Sequence, residues 1–173
     1  MSCSGIHLRS SSDSFTRPSN TTNYSDNQLV ANSTTAASVL PLSFTIDVED
    51  GRGIEIVGIK LQKSGIAVTG ATFTVWLFAS SPTVTVGDGS TFATTTVDTS
   101  GFIGQVDLSA MEAYTDDAMS TIRAGAVSGG FNPFVTYLSS TETIYGLIQT
   151  AAAYTDEASG ETFTATIFYK QYE

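Results

Sequence analysis

Cysteine, histidine and cationic side chains are nearly missing from this chain, whose 173 residues include one Cys, one His and 7 Lys plus Arg against 17 Asp plus Glu. Cys3 alone cannot form an intramolecular disulfide, so no cystine framework supports the fold. Zinc centres, Ser-His-Asp triads and thiol nucleophiles need convergent His, Cys and acidic groups, whereas Cys3 and His7 both fall in a polar leading segment. The shortage of cations leaves a formal net charge of −10. That charge repels phosphate backbones and anionic lipid, so neither nucleic acid nor a membrane is an expected partner. No apolar run approaches the ~18 residues of a membrane span. The N-terminus has no apolar stretch behind basic residues, so no secretion signal is read there. Gly87-Asp88-Gly89 lacks a following Lys-Ser/Thr and a helix, which excludes a phosphate loop.

What the chain does have is period-two alternation, beginning at Val39. Leu40, Leu42, Phe44, Ile46 and Val48 share one parity, the signature of a strand with one buried face, with Pro41 expected near the strand start or on a sheet edge. Glu49 to Gly53 reads as a turn. Ile54 to Lys63 follows with Val57, Ile59 and Leu61 alternating, and antiparallel pairing with the preceding strand is the simplest topology. Thr72 to Ala79 places Phe73, Val75 and Leu77 on one face and Trp76 and Phe78 on the other, predicting a central strand covered on both sides. Alternation returns at Phe102 to Leu108, Phe134 to Leu138, Glu142 to Ala153 and the closing run through Phe163, Ala165, Ile167 and Tyr169. Ala110 to Ala126 stays open between a helix, from the spacing of Met111, Tyr114, Ala118, Met119 and Ile122, and a turn at Thr115-Asp116-Asp117. About eight short strands between turn signals predict an all-β, antiparallel β-sandwich, jelly-roll-like, over residues 39–173. The expected core is Phe44, Ile46, Ile59, Leu61, Phe73, Val75, Leu77, Ile148, Phe163 and Ile167.

Residues 1–38 differ in kind, being crowded with Ser, Thr and Asn and lacking either period. Arg9 and Arg17 balance Asp13 and Asp26 there, so the segment is neutral and the ten net negative charges fall beyond it. It is expected to be an extended N-terminal arm: either a disordered terminus or a segment that orders on a partner, with Phe15, Tyr24, Leu29 and Val30 as anchors.

Candidate chemistry is sparse. Asp47, Glu49 and Asp50 beside a glycine turn, Asp116-Asp117, and Asp156-Glu157 before Ser-Gly read first as solvated turn acids, ahead of a glycosidase pair or a Ca²⁺ site. Trp76 reads as core, while Tyr145, Tyr154, Tyr169 and Tyr172 could line a face, which keeps a carbohydrate-binding or host-adhesion sandwich as the alternative. No catalytic residue, metal ligand or cofactor is expected.

One stretch goes further. Arg17-Pro18-Ser19-Asn20-Thr21-Thr22-Asn23-Tyr24, Asp26 to Ser33, and Val39-Leu40-Pro41-Leu42-Ser43-Phe44 resemble a group of small tailed-bacteriophage virion proteins of the head decoration or cement type. Further matches at Leu61 to Gly65, Phe73 to Phe78, Ile144 to Leu147 and Ala153 to Phe163 extend the resemblance over about residues 17 to 169. It implies a non-enzymatic capsid-surface protein, made in the host cytoplasm, that binds the major capsid protein and self-associates as a dimer or trimer. Its candidate partner contacts are Phe15, Arg17, Pro18, Tyr24, Leu29 and Val30 of the arm.

Overall fold

The computed structural model describes residues 7–20, 23–47, 53–123, 133–137, 143–156 and 160–171. Expectations that rest on Cys3, Val48 to Asp50, Leu138, Glu142, Glu157 or Tyr172 lie outside the described residues, as does much of the 49–53 turn. Eleven strands are described: β1 (His7–Thr16), β2 (Leu29–Val30), β3 (Leu42–Thr45), β4 (Gly53–Ser64), β5 (Phe73–Phe78), β6 (Phe102–Asp107), β7 (Glu112–Ala113), β8 (Asp117–Arg123), β9 (Phe134–Tyr137), β10 (Thr143–Thr150) and β11 (Thr162–Gln171). They form two antiparallel sheets. One runs β1-β11-β4-β8-β7, with β9 also on β4; the other runs β2-β10-β5-β6, with β3 also on β10.

The pairing is nested. The first strand pairs with the last, β3 with β10, β4 with β8, and β5 with β6. β3 and β4 are thereby sent to opposite sheets, which corrects the expected hairpin between the Val39–Val48 and Ile54–Lys63 runs. The apolar face of β3 instead meets that of β4 across the core, in one cluster. All ten residues expected in the core are fully buried, because each lies on the inward parity of a strand.

Two local expectations change, and the expected cover on both faces of Phe73–Phe78 is found. Leu40 is 70% exposed, since the ladder starts only at Leu42; Leu40 N–H goes to Asn32 Oδ1, and Val39 is the buried neighbour. The helix candidate is not helical, because β8 takes Ala118 and Ile122 into the core as every fourth residue of a strand, with Ser120 between them on the same face. Phe78 packs on the outer side of its sheet under the 79–101 connection, in a second cluster with Leu29, Val84, Phe92, Val97 and Leu147. Trp76 lies against Phe92 and Phe102 there, with its indole N–H donating to Gln149 Oε1 at 2.8 Å.

The largest correction concerns residues 7–38. No arm leaves the fold among the described residues. β1 pairs with β11 over ten consecutive residues, Tyr24 bridges Tyr154, and β2 continues the sheet edge beside β10. A polar segment can be ordered in this way when a neighbouring strand supplies its backbone hydrogen bonds, which composition does not reveal.

Candidate functional site

Three strands of one sheet carry a charge on the parity that should be apolar. Arg17 follows Phe15 just beyond β1, Lys63 follows Ile59 and Leu61 on β4, and Glu161 precedes Phe163 and Ala165 at the start of β11. The registers set these positions side by side, since Thr16 faces Thr162, Arg17 N–H donates to Glu161 O at 2.9 Å, and Lys63 faces Phe163. Connections supply the rest: Asp88 from the β5–β6 loop, Asp156 and Tyr154 from the β10–β11 loop, and Tyr24 from the chain before β2.

The result is a buried ionic knot. Arg17, with no exposed side-chain surface, reaches Asp156 Oδ2 at 2.9 Å through Nη1 and Asp88 Oδ2 at 3.5 Å through Nη2, with Glu161 Oε2 at 3.9 Å. Its Nη2 also donates to Asn20 Oδ1 at 3.2 Å, and its guanidinium lies 4.4 Å from the centre of the Tyr24 ring. Lys63 Nζ holds Glu161 Oε1 at 2.9 Å and Gly65 O at 3.2 Å. The Tyr24 hydroxyl donates to Asp88 Oδ1 at 2.7 Å, and the Tyr154 hydroxyl donates to Glu161 Oε2. Asp88 further accepts Ala31 N–H at 2.8 Å, which ties the chain around β2 to the same carboxylate. Gly87 is needed for that approach, because a Cβ there would lie 1.9 Å from Thr34 O.

Ions this deep persist only when paired and hydrogen-bonded. Burial opposes the Arg17 charge, yet the Tyr24 phenol with Asp156 and Asp88 outweighs it and holds the Arg17 pKa above its ordinary value. Burial, then Asp88, pushes the Tyr24 phenol far up; burial, then the hydrogen bond to Glu161, does the same for Tyr154. Phenols held in the protonated form neither accept protons nor attack. The knot's chemistry is therefore to hold chain segments together.

The expected partner contacts are largely spent on this work. Arg17 and Tyr24 lie in the knot, Leu29 and Val30 are buried on opposite faces of their sheet, and Phe15 stacks on Phe163 at 5.9 Å. Pro18 is half-buried. Four of the six thus offer no surface to a partner, since closing the sandwich already buries them. The tyrosine platform is corrected too: Tyr154 and Tyr169 are core residues, because both fall on inward positions. Asp47 is exposed and pairs with Arg9, Asp117 bonds Gln62, and Asp156 belongs to the knot. Among the described residues no group of three His, Cys, Asp or Glu is placed to hold a metal ion.

The missed residues were Lys63, Asp88 and Glu161, and Asp156, read as a solvated turn acid, is instead buried on Arg17. A lysine and a glutamate on the inward parity of apolar strands were the legible signal, since such charges need buried partners. Asp88 and Asp156 gave none, because loops alone bring them there.

Two grooves lie among the described residues. A groove of about 410 Å³ runs beside β1, lined by Asp13, Ser14, Phe15, Asn32, Leu40 and Pro41 among others. A smaller, polar one of about 200 Å³ lies at Glu112, Tyr114 and Met119. No described helix is long and apolar enough to cross a membrane. No family model and no curated protein matches this chain.

Proposed function

We propose that the chain is a non-enzymatic structural protein of a tailed-phage virion, which decorates or cements the capsid by binding the major capsid protein on its outer surface. The observation that supports this most is where the resemblance falls. The stretches at 17–24, 26–33 and 39–44 contribute Arg17, Tyr24, the chain around β2, and β3, which are the pieces that close the sandwich. A resemblance that takes in these fold-closing residues as well as the central strands speaks for a shared architecture. The nested pairing, 1-11-4-8 in one sheet against 3-10-5-6 in the other, supports a jelly-roll reading of the sandwich and with it the same function. A cement protein needs area and shape rather than a reactive centre. With the N-terminal strip enclosed, attachment falls to the rigid outer surface, and the acidic domain suits a basic shell.

Co-sedimentation with heads that lack their own decorating protein tests the proposal. The folded protein should pellet with heads at saturable stoichiometry and ignore duplex DNA at ~0.15 M ionic strength. Protein that stays in the supernatant at excess heads would refute it.

A further inference from the structure

We infer that β1 is a homodimerisation edge, on which β1 of a second copy adds antiparallel about a two-fold axis through Ser11. β11 covers one side of β1, and among the described residues no strand pairs with the other. The direction of its free groups follows from register. Arg17 N–H points at Glu161 O, so residues of odd number turn their backbone groups toward β11. Those of even number, Leu8, Ser10, Ser12, Ser14 and Thr16, turn theirs outward. Ser14 N–H is met by Asp13 Oδ1.

Free edges are normally blunted by charged side chains, lysine above all, by proline or by a bulge, unless a partner strand matches the charges. β1 has no lysine or proline, and its ten residues pair with β11 without a register shift. Its only Asp, Glu, Lys or Arg residues are Arg9 and Asp13, two positions either side of Ser11. In an antiparallel self-pair centred there, residue i faces residue 22−i, so Arg9 of each copy, which also holds Asp47 of its own chain, faces Asp13 of the other, twice. Such odd-numbered pairs are the non-hydrogen-bonded kind, whose Cα atoms lie ~4.5 Å apart and whose side chains approach most closely. Moving the centre to Ser10 or Ser12 loses both charge pairs. Asp13 is ready for a cation, since it holds the backbone amides of Ser14 and Ser43 and no described cation. Two acidic molecules would meet across two opposite-charge pairs, beside the groove that leaves Leu40 70% exposed. This inference stands apart from the capsid reading and fails or holds without it.

The test uses full-length protein with Cys3→Ser. Ser11→Cys should cross-link rapidly to a covalent dimer under diamide, because facing Cα atoms at ~4.5 Å suit a disulfide. Ser10→Cys should cross-link poorly, its own counterpart lying beyond the ~7 Å reach. By sedimentation at ~0.1 mM, in the range of weak small interfaces, the unmodified chain should show twice the monomer mass. Arg9→Asp and Asp13→Arg should each fall to monomer mass, and mixing the two should restore a dimer that is then mixed. Ser11→Cys leaves both charges in place, so it still decides the matter if a charge variant misfolds. Monomer mass throughout with no Ser11→Cys cross-link overturns the inference. So does equal cross-linking through Ser10→Cys, or a dimer that survives Arg9→Asp unmixed.

Discussion

The N-terminal strip, residues 7–47, and the central strands, residues 53–78, reach the same core by different means. β4 and β5 are held by apolar burial: Ile54, Ile56, Ile59, Leu61, Phe73, Val75 and Leu77 have no exposed surface. The strip contributes Tyr24, Leu29, Val30, Phe44 and Ile46 to the apolar clusters, but from His7 to Ala31 it is fastened as well by a ten-residue ladder, the Tyr24 bridge and the Arg17 knot. Burial of one apolar face is local and periodic, so it shows in a sequence. Fastening by partners more than a hundred residues away does not.

Removal of residues 1–38 breaks the comparison most directly. It deletes β1 and β2, bares an edge of β11, and strands Lys63, Asp88, Asp156 and Glu161 without Arg17. The truncated chain should fail to fold, seen as loss of cooperative melting and of protease resistance; a stable 39–173 fragment would show that the strip is only an appendage.

Arg17→Ala comes next. Leaving buried carboxylates unpaired should cost ~3–5 kcal/mol, read as a shift in the denaturant midpoint. Leu77→Ala, the apolar counterpart in the central strands, should cost ~2–5 kcal/mol through its cavity. A negligible Arg17→Ala effect beside a large Leu77→Ala effect would mean that the ladder alone secures the strip.

Tyr24→Phe should cost less, ~1–3 kcal/mol, because Asp88 loses one of its donors. It also gives the strip a pH signature. The ordinary phenol pKa is 10.0, and both Tyr24 and Tyr154 are raised above it in the fold, first by burial. Their contribution is therefore complete below that value and is lost as pH rises past it, where the unfolded chain releases protons that the folded chain keeps. Stability should fall by ~1.4 kcal/mol per pH unit per tyrosine. In Tyr24→Phe the alkaline slope should shrink by one proton, whereas Leu77→Ala should leave the slope unchanged.

The all-β class, the inward parity of ten core residues, the central double-sided strand and the acidic net charge were legible in the chain's own pattern. All of these depend on neighbours one or two residues apart, through the alternation of a pleated strand and the sum of charges. Arg17, Tyr24, Leu29 and Val30 looked available to a partner because their segment has no period of its own. Long-range pairing overturns that reading: the nested order returns the last strand to the first and brings three loop and strand carboxylates around Arg17. Which charges meet in a knot depends on chain closure over the whole domain, and no local pattern encodes that distance.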